Sequence, residues 1–285
     1  MTQASKVQIE PLSDLMGAEV RGVDTSQPLG GSVLSALQQA MLDFHILVFR
    51  EQSLKTDEQI RFSEYFGPLE SHVIRLANGK PPPPVHVISN LDAAGKPTSK
   101  PFSHGNYFWH TDKSYHAAPS LATLLHAVEL PPEGGDTEFA NMHAAYAALD
   151  PTLKNEIAEL KLVHSWEASR INTGNRPATE EEKRDRPPVT HPLVRTHPDT
   201  ARKSLYLGTH VSHVVGMEPE ASRTLLEKLQ GFATSSRFLY RHRWQPGDLV
   251  IWDNRSLLHR AISNFDMDRY RRILHRTVVK GSVPF

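Results

Sequence analysis

The feature that most narrows what this chain can fold into is the crowding of β-type segments into its middle and its end. After a proline run at Pro81–Pro84, the stretch to residue 140 reads as short strand-like segments broken by Gly, Pro and Asn, beginning with Val85–Ile88. The last 48 residues repeat the pattern in Phe238–Trp244, Leu249–Trp252 and Ile273–Val279. Helical spacing falls before and between these β-rich stretches. Val33, Leu34, Leu37 and Met41 mark a helix over 31–44, followed by a strand at His45–Phe49. Thr56 and Gln59 form a capping-box pattern that opens a second helix, with Gly67 placed to end it. A helical patch runs from Met142 to Leu160 with a break at Asp150-Pro151, and Pro219–Phe232 is an amphipathic helix. Val189–Tyr206 reads as a hairpin. Residues 165–188, with three glutamates and a lysine at 180–183, read as a long surface loop, either a solvated face or an active-site lid. Many short strands with helices outside them predict a mainly β domain with flanking helices, a sandwich or barrel rather than a βαβ alternation. No repeat divides the 285 residues, so residues 1–285 are expected to form one domain.

Composition removes several functions. There is no cysteine, which excludes disulfides, thiolate zinc sites, iron–sulfur clusters and a catalytic thiol together. Lys+Arg and Asp+Glu both number 32, so charge gives no reason to expect a nucleic acid or a membrane as partner. The N-terminal MTQASKVQIEP has no apolar core, so no secretory signal is expected and the protein is expected to be cytoplasmic. GxGxxG, Walker A, GxSxG and HExxH patterns are all missing.

Sixteen histidines leave histidine–carboxylate chemistry as the open route. In a strand, residues two apart share a face, so His110 and Asp112 of His110-Thr111-Asp112 can bind one ion. A distant histidine such as His259 would complete a two-His-one-carboxylate set with open positions for substrate and dioxygen. The tripeptide alone is weak, since about one His-x-Asp is expected by chance at this histidine content. A second one, His197-Pro198-Asp199, reads better as a turn. Arg272 and Arg276 lie beyond His259 and share a strand face, where a planar guanidinium suits a carboxylate. An exposed basic strand is the competing reading of RYRRILHR.

The segments FWHTDKSY (108–115), GGDTEFANMHAAYAAL (134–149), HPLVRTHP (191–198), YRHRWQPGDLVIWDNRSLLHRA (240–261) and RRILHRTV (271–278) together resemble the TauD/TfdA family of Fe(II)- and 2-oxoglutarate-dependent dioxygenases. The resemblance extends over nearly the whole chain, from GAEVRGVD (17–24) onward. It implies a double-stranded β-helix, or jelly roll. It implies Fe(II), 2-oxoglutarate and O2 as cofactor and co-substrates, with His110, Asp112 and His259 as the iron ligands and so the catalytic set. Thr137 and Arg272 match the positions that hold the distal carboxylate of 2-oxoglutarate. Arg276, His72 and Asn106 match substrate-side positions, and Lys113, a departure from the family pattern, adds a cation at the site mouth or simply faces solvent. The spacing from His259 to Arg272 is about two residues longer than the family pattern, which brings Arg269 into play, although RRILHR aligns on Arg272.

The activity so implied is hydroxylation of a small organic anion, with succinate and CO2 as co-products. LGTHVSH (207–213), YRHRW and WDNRSLLHRA look closer to the dichlorophenoxyacetate branch, whose aryloxyalkanoate substrates are cleaved at the ether to a phenol. His72 and Asn106 look closer to the taurine branch, which would release sulfite from an alkylsulfonate. A metal-binding jelly roll without oxygenase activity and a metal-assisted hydrolase are the remaining readings. His210 and His213 either line the pocket or are structural, and Trp109 and Trp252 read as core. Family members are homo-oligomers, and the same is expected here.

Overall fold

The structure is a computed structural model and describes residues 7–70, 84–99 and 104–285. A seven-stranded sheet carries the architecture, in the order Gln8–Pro11, Ala18–Arg21, Ile46–Phe49, Leu249–Asp253, Ser120–Glu129, Ile273–Lys280, His86–Ser89. Facing it is a three-stranded sheet, Leu239–His242, Thr137–Asn141 and Leu257–Ala261, with the middle strand in antiparallel register to both neighbours. This is the sandwich expected from the strand pattern and the jelly-roll core that the family resemblance implies.

Strand periodicity explains why two sheets and a helical layer form. In Ile46-Leu47-Val48-Phe49 every residue is buried, because both faces of the sheet are covered. Leu47 and Phe49 pack with Leu249, Ile251, Leu37, Met41 and Phe62 under the helices Gly31–Phe44 and Thr56–Glu64. Ile46 and Val48 point the other way, joining Val250, Trp252, Leu125 and Leu274 against Phe139 and Leu257 of the facing sheet. At about 1.5–3 kcal/mol for each fully buried large side chain, clusters of this kind are a major source of the folding free energy. The outer face of the small sheet, Ala140 and Leu258, is closed by the helices Met142–Ala147 and Pro219–Ala233. No helix among the described residues is long and apolar enough to cross a membrane.

Several local expectations shift. His45 is not the first residue of a strand but the left-handed cap of the preceding helix, at φ 64°. The second helix is capped one residue earlier than predicted, by Lys55, whose N–H donates to the Glu58 carboxylate at 2.8 Å. Gln59 is buried instead and donates its amide to the His275 carbonyl. Residues 165–188 are not one long loop: they contain the helices Trp166–Asn172 and Glu180–Asp185. Ser165 caps the first, and a Thr179–Glu182 capping box opens the second, so the glutamate run is the favourably charged first turn of a helix. Lys183 bonds Glu167 and ties the two together. The hairpin narrows to Val194–Thr196 and Lys203–Leu205, while Val189–Pro192 pairs with Lys161–His164. Of the Pro81–Pro84 run, residues 81–83 lie outside the described residues.

Two buried histidines give the fold a pH dependence. Burial pushes His45 down to about 3 and His143 down to about 4, so both are neutral when folded. Unfolded histidines take up a proton below about pH 6.5. The stabilisation is therefore complete above that value and lost as pH falls toward the folded-state values, by at most about 1.4 kcal/mol per pH unit for each histidine. His45→Asn tolerates the left-handed cap and removes the titration. Denaturant titrations between pH 7.5 and 5 are expected to show a clearly shallower loss of stability for this variant.

Candidate active site

The site sits inside the sandwich, where the small sheet meets the segment 108–112. His110 and His259 are 149 residues apart in the chain and lie directly opposite each other in an isolated antiparallel bridge. The His110 N–H donates to the His259 carbonyl at 3.0 Å, and the His259 N–H returns the bond to His110 at 2.8 Å. This pairing brings the two rings to 4.2 Å between centroids. His259 points into the sandwich because it is two residues from Leu257, a core residue on the same strand face.

Asp112 arrives differently from the prediction. The stretch after His110 is a turn and not a strand, and Lys113 takes a left-handed φ of 55°. The turn swings the Asp112 carboxylate to 3.8 Å from His110 Nε2 and 4.0 Å from His259 Nε2. These three residues, all buried, form the group among the described residues whose donor atoms lie within 4.8 Å of one another and can hold a metal ion. The donor chemistry fits a divalent cation with open positions. His110 donates Nδ1–H to the Phe108 carbonyl at 2.8 Å, which leaves the Nε2 lone pair for the ion. Burial lowers the pKa of both histidines and keeps them neutral. Burial alone would raise Asp112, but His259, Arg276 and His110 and the Thr123 hydrogen bond outweigh it and hold the carboxyl well below its usual range.

A buried polar chain fixes that carboxylate. Thr123 donates to Asp112 Oδ2 at 2.5 Å, and the Asn254 amide donates to Thr123 Oγ1 at 2.9 Å. The Trp252 indole donates to Asn254 Oδ1 at 3.1 Å, and Thr111 Oγ1 donates to the Asn254 carbonyl. Neither Thr123 nor Asn254 was singled out from the sequence, although Asn254 lies inside the quoted WDNR segment. Thr123→Val keeps the shape and removes the hydroxyl. The expected outcome is a roughly 10- to 100-fold loss of Co(II) or Mn(II) affinity in calorimetric titration of metal-free protein. Unchanged affinity would mean that the chain does not orient Asp112.

Arg272, Leu274 and Arg276 share one face of the strand Ile273–Lys280 and its entry, and Leu274 lies in the sandwich core. Both arginines are therefore turned inward, and the exposed-basic-strand reading fails. Arg272 is 5% exposed, and no carboxylate lies within salt-bridge distance of it among the described residues. Its Nε donates to the Gly135 carbonyl at 2.8 Å, and its NH2 lies 3.5 Å from Thr137 Oγ1. Gly135 has φ 70°, and a Cβ there would stand 3.0 Å from Arg272 Cδ, so only glycine leaves room for the arginine stem. Burial lowers Arg272 to about 10, still protonated near neutrality. A buried cation without an anion is costly, and an anionic ligand would supply the missing partner. Arg269 is exposed over the Tyr270 ring. Arg276 approaches Asp112 Oδ1 at 3.7 Å.

A narrow cavity is bounded by the triad, Thr137, Arg272, Arg276 and Asn106, with Ile88, Leu125 and Trp252 as its apolar walls. It shares Ile88, Asn106, His110, Asp112 and Arg276 with a wider mouth of about 520 Å³ that adds Tyr115, Trp166, His210 and Lys113. The Lys113 ammonium pairs with Glu70 there. His210 bonds Ser114 Oγ at 3.0 Å and is pushed down to about 3 by burial. His213 is exposed and faces a separate cavity. His72 lies outside the described residues. Trp252 is core, and Trp109 packs under Arg260 at 4.5 Å. The second His-x-Asp is indeed a turn: His197 donates Nε2–H to Asp253 at 3.0 Å, and its Nδ1 accepts the N–H groups of Asp199 and Thr200.

Residues 8–278 match the family described as "Taurine catabolism dioxygenase TauD, TfdA family". The chain belongs to the TauD/TfdA dioxygenase family. It is 38% identical over 286 residues, covering 97% of this chain and 99% of the other, to the alpha-ketoglutarate-dependent 2,4-dichlorophenoxyacetate dioxygenase of Cupriavidus pinatubonensis. It is 37% identical to the (S)-phenoxypropionate/alpha-ketoglutarate-dioxygenase of Sphingobium herbicidovorans, over 95% of this chain and 94% of that one. The crystal structure of AAD-2 in complex with Mn(II) and N-oxalylglycine superposes with a TM-score of 0.88 at 37% identity, covering 98% of both chains. Dioxygenases of this family require Fe(II), 2-oxoglutarate and O2, and the His-Asp-His group is where this chain can hold the metal.

Proposed function

We propose that this protein hydroxylates an aryloxyalkanoate anion at the carbon beside the ether oxygen, splitting it into a phenol and an oxoacid. The observation that carries the reading is the pair of inward arginines at two depths of one cavity. Arg272 is closed in with Thr137, while Arg276, four residues and about 13 Å further along the strand, borders both the cavity and its mouth. Two separate carboxylates, one on the co-substrate and one on the substrate, match two separate cations. The similarity to two aryloxyalkanoate dioxygenases supports the aryl group in particular.

In this reading His110, Asp112 and His259 hold Fe(II), which supplies the dioxygen-dependent oxidation of a substrate carbon coupled to decarboxylation of 2-oxoglutarate to succinate. Thr123 donates to Asp112 Oδ2 and holds the carboxylate with Oδ1 toward His110 and Oδ2 toward His259. Arg272 and Thr137 take the distal carboxylate of 2-oxoglutarate. Ile88, Leu125 and Trp252 keep water from the reacting atoms. Arg276 and Asn106 orient the substrate carboxylate, with Lys113 and His72 assigned to the same substrate side. Tyr115 and Trp166 give the mouth an aromatic wall for the ring. The product carbon carries both a hydroxyl and an aryloxy group. It collapses by breaking the carbon–aryloxy bond, the hydroxyl proton passing to the phenolate.

The test is succinate formation from 2-oxoglutarate with Fe(II) and air, against phenoxyacetate, both enantiomers of a phenoxypropionate, taurine and a longer alkylsulfonate. Phenol released in step with succinate is the expected result. Sulfite release would reassign the substrate to the sulfonates, and iron-loaded protein that forms no succinate would overturn the oxygenase reading.

A further inference from the structure

The polarity of the Thr137 hydroxyl is set by a residue outside the cavity. Thr137 Oγ1 accepts the indole N–H of Trp244 at 3.0 Å and lies 3.5 Å from Arg272 NH2. A hydroxyl has two lone pairs and one proton. With donors on both lone pairs, the proton is the only group that Thr137 can still offer.

We propose that Trp244 is a positioning residue for 2-oxoglutarate, which forces Thr137 to act as a hydrogen-bond donor toward the distal carboxylate. The inference rests on the reading of Thr137 and Arg272 as the distal carboxylate site. Indole nitrogen is a donor only, so Trp244 cannot reverse the bond as a histidine or glutamine could. The indole is also immobilised. Trp244 is 8% exposed, and the ring of His242 meets it edge-on at 4.6 Å and 88°. His242 in turn bonds Asp248 at 3.0 Å, and Asp248 is anchored by Arg50 at 2.7 Å and by the Gln245 N–H at 2.8 Å. His242 and Thr137 are register partners across the small sheet, so the chain beyond the strand end brings Trp244 back over Thr137. Arg272 lies over the Trp244 ring, 5.9 Å from its centre. Thr137 and Arg272 thus present only donors to an incoming carboxylate.

The test uses Trp244→Phe, which keeps an aromatic ring against His242 and Arg272 and deletes the donor. Calorimetry on full-length, Mn(II)-loaded protein compares 2-oxoglutarate with 2-oxopentanoate, which has a methyl group in place of the distal carboxylate. The expected result is about a tenfold loss of affinity for 2-oxoglutarate, with 2-oxopentanoate affinity kept within about twofold. Thr137→Val should show the same selective loss, and the double variant no more than either alone. Equal losses for both acids would mark Trp244 as merely structural and overturn the proposal, as would no loss. Arg272→Gln separates the two levels. If it leaves the preference for 2-oxoglutarate intact, the carboxylate site is misassigned; if it abolishes that preference while Trp244→Phe does nothing, only the role of Trp244 falls.

Discussion

Asp112→Asn is expected to lose divalent metal affinity by at least about 100-fold and to reduce succinate formation to background. The substitution is nearly isosteric, so Thr123 can still donate to the side-chain oxygen. What disappears is the negative charge that two neutral histidines and the nearby Arg276 surround. In the native protein its surroundings, with the Thr123 hydrogen bond, hold the carboxyl well below its usual range, so it is ionised near neutral pH. An amide at this position neither balances a dication nor offsets the guanidinium 3.7 Å away. Metal content after loading, metal titration and succinate yield together check the prediction. Loss of metal with turnover retained would overturn the assignment of the triad. Destabilisation with turnover retained would point to a structural ion.

Arg272→Gln is expected to raise the KM for 2-oxoglutarate by about 100-fold or more. Breaking a buried charge pair by removing one partner costs about 3–5 kcal/mol, and each 1.4 kcal/mol is a factor of ten. Arg272→Lys keeps a positive charge but loses the planar fork and the geometry of the Gly135 bond, so a smaller loss of about tenfold is expected. Succinate formation measured against 2-oxoglutarate concentration, with 2-oxopentanoate as the monoanionic comparison, reads the effect directly. An unchanged KM in Arg272→Gln would transfer the distal carboxylate to another cation, and Arg276 is the one that shares the cavity.

Sequence alone determined what depends on neighbours along the chain. The apolar runs that form the strands Ile46–Phe49 and Leu249–Asp253, the helices Gly31–Phe44 and Pro219–Ala233, and the turn at His197-Pro198-Asp199 follow from local apolar patterning and turn chemistry. The composition removed thiol chemistry, and ordered segments, not the weak His-x-Asp tripeptide, pointed to the family. Local signals also misled where two readings share a composition: the acidic run at 180–183 suits a solvated loop and a helix N-terminus equally, and only its capping partners decide.

The tertiary structure decided what depends on residues that meet from far apart. His110 faces His259 through a bridge that no local pattern encodes, and Asp112 reaches them through a left-handed turn rather than a strand face. The bond from Asn254 to Thr123 spans 131 residues, and the one from Trp244 to Thr137 spans 107. Such contacts exist because the hydrophobic packing of two sheets buries these polar groups together, and a buried donor or acceptor must find whatever partner the packing brings. Residue type made each of these side chains able to bind or to donate. Which atom it faces was fixed by how the two sheets pack.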